Sequence, residues 1–108
     1  MKFYSQLYIG ESVRNYRRIM RRLKRGSLFT NAYVLTFAAE NDLLEIYDAK
    51  IFAQKYYRNF PRMIVGLAAD YEEAVELVIK IVEECLSARG DCDVKTYLRD
   101  TMQKERHD

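Results

Sequence analysis

Apolar positions along this chain follow two rhythms, and the alternation between them predicts strands and helices in turn. Phe3 to Ile9 (FYSQLYI) is short and rich in aromatic and β-branched residues, which predicts a strand closed by Gly10. From Val13 to Arg25 the period becomes that of a helix. Val13, Tyr16, Ile19, Met20 and Leu23 fall within an arc of roughly 120°, and Arg14, Arg17, Arg18, Arg21, Arg22, Lys24 and Arg25 spread over roughly 160° of the other side. Ser12 is the expected N-cap, and Gly26 with Ser27 the expected stop. Ala32 to Ala39 (AYVLTFAA) is apolar apart from Thr36, the pattern of a strand buried on both faces.

Asn41 or Asp42 is next expected to cap a helix, because Leu43, Leu44, Ile46, Tyr47, Ile51 and Phe52 recur at helical spacing. Pro61, the only proline, separates that helix from Met63 to Ala69, a second doubly buried strand. Asp70 is a good cap for a long helix from Tyr71 to Arg89, with Glu72 and Glu73 suited to its first turn and Gly90 as its stop. Apolar residues cover roughly 200° of this helix, wider than one sheet face requires. Asp93 is placed to cap a last short helix with Val94, Tyr97, Leu98 and Met102 inward, before a polar tail, 104–108, expected to fray. The order of elements predicts a single α/β domain over 1–103, with a small three-stranded, mostly parallel sheet and three or four helices. A ferredoxin-like α+β sandwich, with one strand antiparallel, is the alternative.

Composition narrows the class. A chain of 108 residues with 49% hydrophobic and 31% charged side chains is long enough for one core and is not wholesale disordered. No apolar run approaches the roughly 20 residues of a membrane span, and the opening residues lack a signal-peptide apolar region, so a cytoplasmic protein without a membrane partner is expected. Cys85 and Cys92 are too few for a disulfide scaffold and match no metal spacing. Cys85 is expected as a buried small hydrophobe and Cys92 as partly exposed. The only histidine is His107, in the tail. Neither histidine catalysis, a Cys/His metal site nor a cofactor is expected.

Charge is unevenly spread. The net +2 resolves into +7 over 1–30, −1 over 31–60 and −4 over 61–108. Arg14, Arg17, Arg18, Arg21, Arg22 and Arg25 therefore form a candidate polyanion-binding face, which also reads as a solvated surface or as a partner for acidic groups of another subunit. Lys55 to Arg62 (KYYRNFPR) interleaves aromatic and basic residues, as single-stranded nucleic-acid binders do, or as a helix end does whose cations complement the dipole. In a parallel sheet, ligands gather beyond the carboxyl ends of the strands. That edge would hold Gly10, Glu11, Ser12, Glu40, Asn41, Asp70 and Tyr71, a candidate ligand pocket, although caps and first-turn acids account for most of them. No dinucleotide-binding, P-loop or nucleophile-elbow pattern occurs, which makes a small enzyme the least supported function.

Three stretches carry a resemblance: F-Y-x-Q-L-Y-I-G-x-S-V from Phe3, I-V-G-x-A followed by Y-x-E-A-x-E-L-V from Ile64, and D-V-x-x-Y-L from Asp93. In these the chain resembles a group of short uncharacterised proteins from anaerobic Gram-positive bacteria. In that pattern a glycine stands where this chain has Asp70, which weakens a backbone nest there and leaves a capping role. The resemblance implies a free-standing small protein and no activity or ligand.

The functional expectation is accordingly a non-catalytic module that self-associates, with nucleic-acid binding as the alternative. The surplus apolar surface of the helix from Tyr71 nominates Val75, Ile79, Val82 and Leu86 as its interface in a homodimer or higher oligomer.

Overall fold

A computed structural model describes residues 2–26, 31–54 and 60–107, with side chains described as far as Gln103. The elements are β1 (Phe3–Ile9), α1 (Tyr16–Arg25), β2 (Tyr33–Phe37), β3 (Leu44–Asp48), a 3-10 helix (Ala49–Ala53), β4 (Ile64–Ala68), α2 (Tyr71–Arg89) and α3 (Val94–His107). The fold is α/β. The sheet is four-stranded and mixed, in the order β1-β4-β2-β3, rather than three-stranded and mostly parallel. β1 and β4 run parallel, whereas β2 runs antiparallel to both of its neighbours, β4 and β3.

The extra strand comes from the stretch expected to be helical. Leu44, Ile46 and Tyr47 fit a helix on spacing alone, but LEIYD also alternates, and β2 offers it a full set of ladder partners from Tyr33↔Asp48 to Phe37↔Leu44. Leu44 and Ile46 reach one face of the sheet and Tyr47 the other. Asn41 therefore caps no helix. Its side chain accepts from the Leu43 backbone N–H at 2.9 Å inside the β2–β3 turn, which Ala38 closes by donating to the Leu43 carbonyl at 3.0 Å. Asp48 caps the 3-10 helix instead, accepting from the Lys50 N–H at 3.0 Å.

The single reversed strand, β2, is the feature expected of the ferredoxin-like alternative, but helices cover both faces of the sheet, unlike a two-layer sandwich. On one face α2 and α3 enclose Tyr4, Leu35, Phe37, Val65, Leu77, Ile81, Cys85, Val94 and Leu98. On the other, α1 and the 3-10 helix enclose Leu23, Val34, Phe52, Phe60, Ile64 and Leu67. A bulge shifts the alternation of β4 between the two faces. Leu35 faces Gly66 and Thr36 faces Ile64, so Val65 is the additional residue of β4. Ile64 and Leu67 then point to the α1 side, and Val65 and Ala68 to the α2 side.

α1 starts later than the apolar pattern suggests. Ser12 is not its cap: the Ser12 N–H donates to the Glu73 carboxylate, the Val13 N–H closes a turn on the Gly10 carbonyl, and the helix begins only at Tyr16. Asn15, at φ 53°, caps the helix by accepting from the Arg18 N–H at 3.3 Å. The caps of α2 are as expected: Asp70 accepts from the Glu73 N–H at 2.8 Å, and Gly90 takes the left-handed conformation at φ 79°. Asp93 binds both the N–H and the hydroxyl of Thr96, and α3 carries helical backbone to His107, through residues expected to fray. Cys85 is buried, its thiol donating to the Asp91 carbonyl at 3.2 Å, and Cys92 is exposed. Burial pushes the Cys85 thiol up from its ordinary value, as do the charges of Asp91 and Asp93, against the opposing effect of Arg89. A second polar contact crosses the same layer. The Tyr8 hydroxyl donates to the Glu84 carboxylate at 2.6 Å, tying β1 to α2, and desolvation together with that bond raises the Tyr8 pKa far above its usual range.

Candidate functional site

Strand direction divides the expected ligand pocket in two. Because β1 and β4 are parallel, Gly10, Glu11 and Ser12 do lie beside Asp70 and Tyr71. Glu40 and Asn41 follow β2, which runs the other way, and they sit at the opposite end of the sheet. The proposed set is therefore not one site.

At the first end a carboxylate already closes the space. Glu73, in the first turn of α2, accepts from the Ala69 N–H at 2.8 Å and from the Ser12 N–H at 2.9 Å, bridging the segments that follow β4 and β1. Gly10 is buried beneath it, and a Cβ at that position would overlap the Glu73 side chain. Desolvation pushes the Glu73 carboxyl up, but the backbone hydrogen bonds from Ala69 and Ser12 outweigh it and hold the pKa below the usual range. Tyr71 is exposed and meets Tyr33 edge-to-face at 5.9 Å. The sequence carried a signal for Glu73: Asp70-x-x-Glu73 has capping-box spacing, although the glutamate here serves the neighbouring strand ends.

A depressed carboxylate stabilises the fold above its unfolded pKa and loses that contribution as pH falls through the folded value. The Glu73 contribution is therefore present at pH 7 and disappears below its usual range near 4.5. Glu73→Gln, which keeps one acceptor and adds a donor, is expected to cost about 1 kcal/mol at neutral pH. That cost should shrink at acid pH, below the folded Glu73 pKa, where the parent has lost the same charge. Urea unfolding at the two pH values checks this; an equal loss at both would mean that charge is not what Glu73 supplies.

The arginine face is distributed unevenly. Arg14 lies outside α1, in the lead-in to Asn15. Arg17, Arg18, Arg21 and Arg25 are exposed and Arg22 is half-buried. The Lys24 ammonium stands over the Phe3 ring at 5.3 Å. Of the aromatic-basic stretch from Lys55 to Arg62, residues 55–59 lie outside the described residues; Phe60 is buried, and the Arg62 guanidinium stacks on it at 4.6 Å.

The four apolar candidates on α2 also differ from one another. Ile79 and Leu86 are 51% and 44% exposed, whereas Val75 and Val82 are half-buried, Val82 packing against the core.

One feature of the far sheet end was missed in the sequence. A cleft of about 620 Å³ opens where the C-terminal end of β2 meets the residues before β4, beside one face of α3. Among the described residues no group of three or more His, Cys, Asp or Glu side chains is placed to hold a metal ion, and no helix is long and apolar enough to cross a membrane. Comparison with protein-family models, with curated proteins and with solved structures returned no match to this chain.

Proposed function

We propose that this chain is a non-catalytic interaction module that self-associates through the outward side of α2. The observation that carries the reading is the exposure of Tyr71, Ile79 and Leu86, at 57%, 51% and 44%, on a helix otherwise packed on the sheet. With Val75 and Val82 they fall within an arc of roughly 80°, and Val78 links that arc to the buried side at Ala74, Leu77, Ile81 and Cys85. The apolar surface thus continues past the core contact into solvent. The acids of the strand ends support a structural role, since Asp70 caps α2 and Glu73 bridges two backbone segments.

A second copy presenting the same stripe is the simplest occupant, in an isologous pair. Because α1 packs on the other face of the sheet, such a contact leaves the arginines outside it. Pairing of arginines with α2 glutamates would instead need a head-to-tail contact. A helix of 19 residues is about 28 Å long. A single helix pair buries well below the roughly 1,600 Å² of a standard interface, so the expected dissociation constant is micromolar. Sedimentation between about 1 and 500 µM should show a concentration-dependent dimer that largely persists in about 1 M salt, because the contact is apolar. A monomer throughout would end the reading, and dissociation by salt would transfer it to the charges.

The exposure of Arg17, Arg18, Arg21 and Arg25 favours polyanion binding as the second reading. Arg14, Arg18 and Arg21 changed together to Glu should then abolish retention of the protein on an oligonucleotide column, and the parent's affinity should fall steeply with salt. Equal elution of parent and variant would reduce the face to a solvated surface.

A further inference from the structure

The cleft at the far end of the sheet joins an apolar floor to a cationic wall. Phe37, Met63 and Met102 supply apolar surface, and the charged side chains lining it among the described residues are Lys2, Arg62, Lys95 and Arg99. All four are basic. Distant parts of the chain supply them, and the antiparallel course of β2 is what gathers them. The Phe37 N–H donates to the Met63 carbonyl at 3.3 Å, and the Ile64 N–H to the Lys2 carbonyl at 2.9 Å. The end of β2 therefore meets the starts of β1 and β4. Lys95, Arg99 and Met102 lie at i, i+4 and i+7 of α3, one helical face directed at this corner.

Local contacts hold three of these cations, Arg62, Lys95 and Arg99, in place without removing their charge. The Lys95 ammonium donates to the Ala38 carbonyl at 3.0 Å, and Lys95 and Arg99 stand 5.9 and 5.7 Å from the centre of the Phe37 ring. Arg62 stacks on Phe60, donates to the Tyr47 hydroxyl at 2.7 Å and lies 3.6 Å from the Glu45 carboxylate. The Tyr47 hydroxyl holds that carboxylate below its usual range, with smaller help from the Ala39 N–H and Arg62. Among the described residues the buried Arg62 Nε–H has no hydrogen-bond partner. Glu45 offsets one of the four charges, and the rest face a space whose volume suits a small organic ligand.

We propose that this cleft binds a small amphipathic organic anion, one carboxylate or phosphate on an apolar body of about six to ten carbons. The headgroup meets Lys95 and Arg99, and the body lies over Phe37, Met63 and Met102. The site is independent of the α2 stripe and of the arginines of α1.

Octyl phosphate and octanoate distinguish the two headgroups, and octan-1-ol is the uncharged control. Isothermal titration of the full chain should show one saturable site for at least one of the anions, about tenfold or more tighter than for octanol. Arg99→Glu, an exposed position, should weaken that anion by about tenfold or more, whereas Arg18→Glu on α1 should leave it unchanged. Should Arg99→Glu disturb folding, amide shifts of the parent protein provide the second readout, with Phe37, Met63 and Lys95 expected to move on adding the anion. Equal binding of octanol, an unaltered affinity in a folded Arg99→Glu variant, an equal loss in Arg18→Glu, or shifts confined to α1 would each overturn the proposal.

Discussion

Truncation of Phe52 to Ala is expected to lower the unfolding free energy by about 3–5 kcal/mol, the usual range for removing a buried aromatic ring. Phe52 is 1% exposed, and its ring meets Phe60 at 5.1 Å and Tyr47 at 6.4 Å, both edge-to-face. Tyr47 and Phe60 complete a three-ring cluster at 5.8 Å. These rings come from β3, the 3-10 helix and the residue before Pro61, and they lie in the core layer that also takes Leu23, Ile19 and Met20 from α1. A short 3-10 helix has little stability of its own, so it depends on Phe52 for anchorage. The loss is a large share of the roughly 5–15 kcal/mol typical of a domain. Urea unfolding followed by circular dichroism should show a lower midpoint at an unchanged slope. A loss under about 1 kcal/mol would mean that the α1 face of the sheet is not a packed core.

Replacement of Ile79 by Glu is expected to weaken self-association by about 100-fold or more, enough to leave monomer at micromolar concentrations. In the contact proposed for α2 this side chain sits near the middle of the stripe, where a carboxylate would be buried without a partner. In the single chain Ile79 is 51% exposed, so its replacement should change the stability of the monomer by only about 0.5 kcal/mol. Sedimentation and thermal unfolding together separate loss of assembly from loss of fold. Arg18→Glu provides the contrast. It lies on the helix covering the other face of the sheet, and it should leave assembly intact. If Arg18→Glu dissociates the protein and Ile79→Glu does not, the contact runs head-to-tail between α1 and the glutamates of α2.

Elements whose local pattern has one solution were legible without coordinates. FYSQLYI forms β1 over its whole length, and α2 begins after Asp70 and ends before Gly90 because an oxygen-bearing cap and a left-handed glycine are strong local signals. Cys85, Val94 and Leu98 are buried as their spacing required. Residues 43–52 were not legible, because a short apolar run satisfies helical and alternating periods equally well. The presence of β2 alongside decides between them. Strand direction was hidden for a related reason: helices between strands suggested parallel crossovers, whereas β2 and β3 form a hairpin through a turn built on Asn41.

The proposed surfaces divide along the same line. The outward side of α2 could be foreseen, since a helix with more apolar arc than its contact can cover is a property of local order. The arginine-rich pattern likewise anticipates the exposed residues of α1. The cleft could not be foreseen, because Lys2, Arg62, Lys95 and Arg99 are scattered through the chain and no local spacing relates them. Local interactions act between neighbours a few residues apart, so sequence by itself determined the caps of α2 and α3, the outward faces of α1 and α2, and core residues such as Cys85, Val94 and Leu98. Which strand ends meet depends on pairing between segments tens of residues apart, and only the tertiary structure decided that Glu73 would close one end of the sheet and four cations would gather at the other.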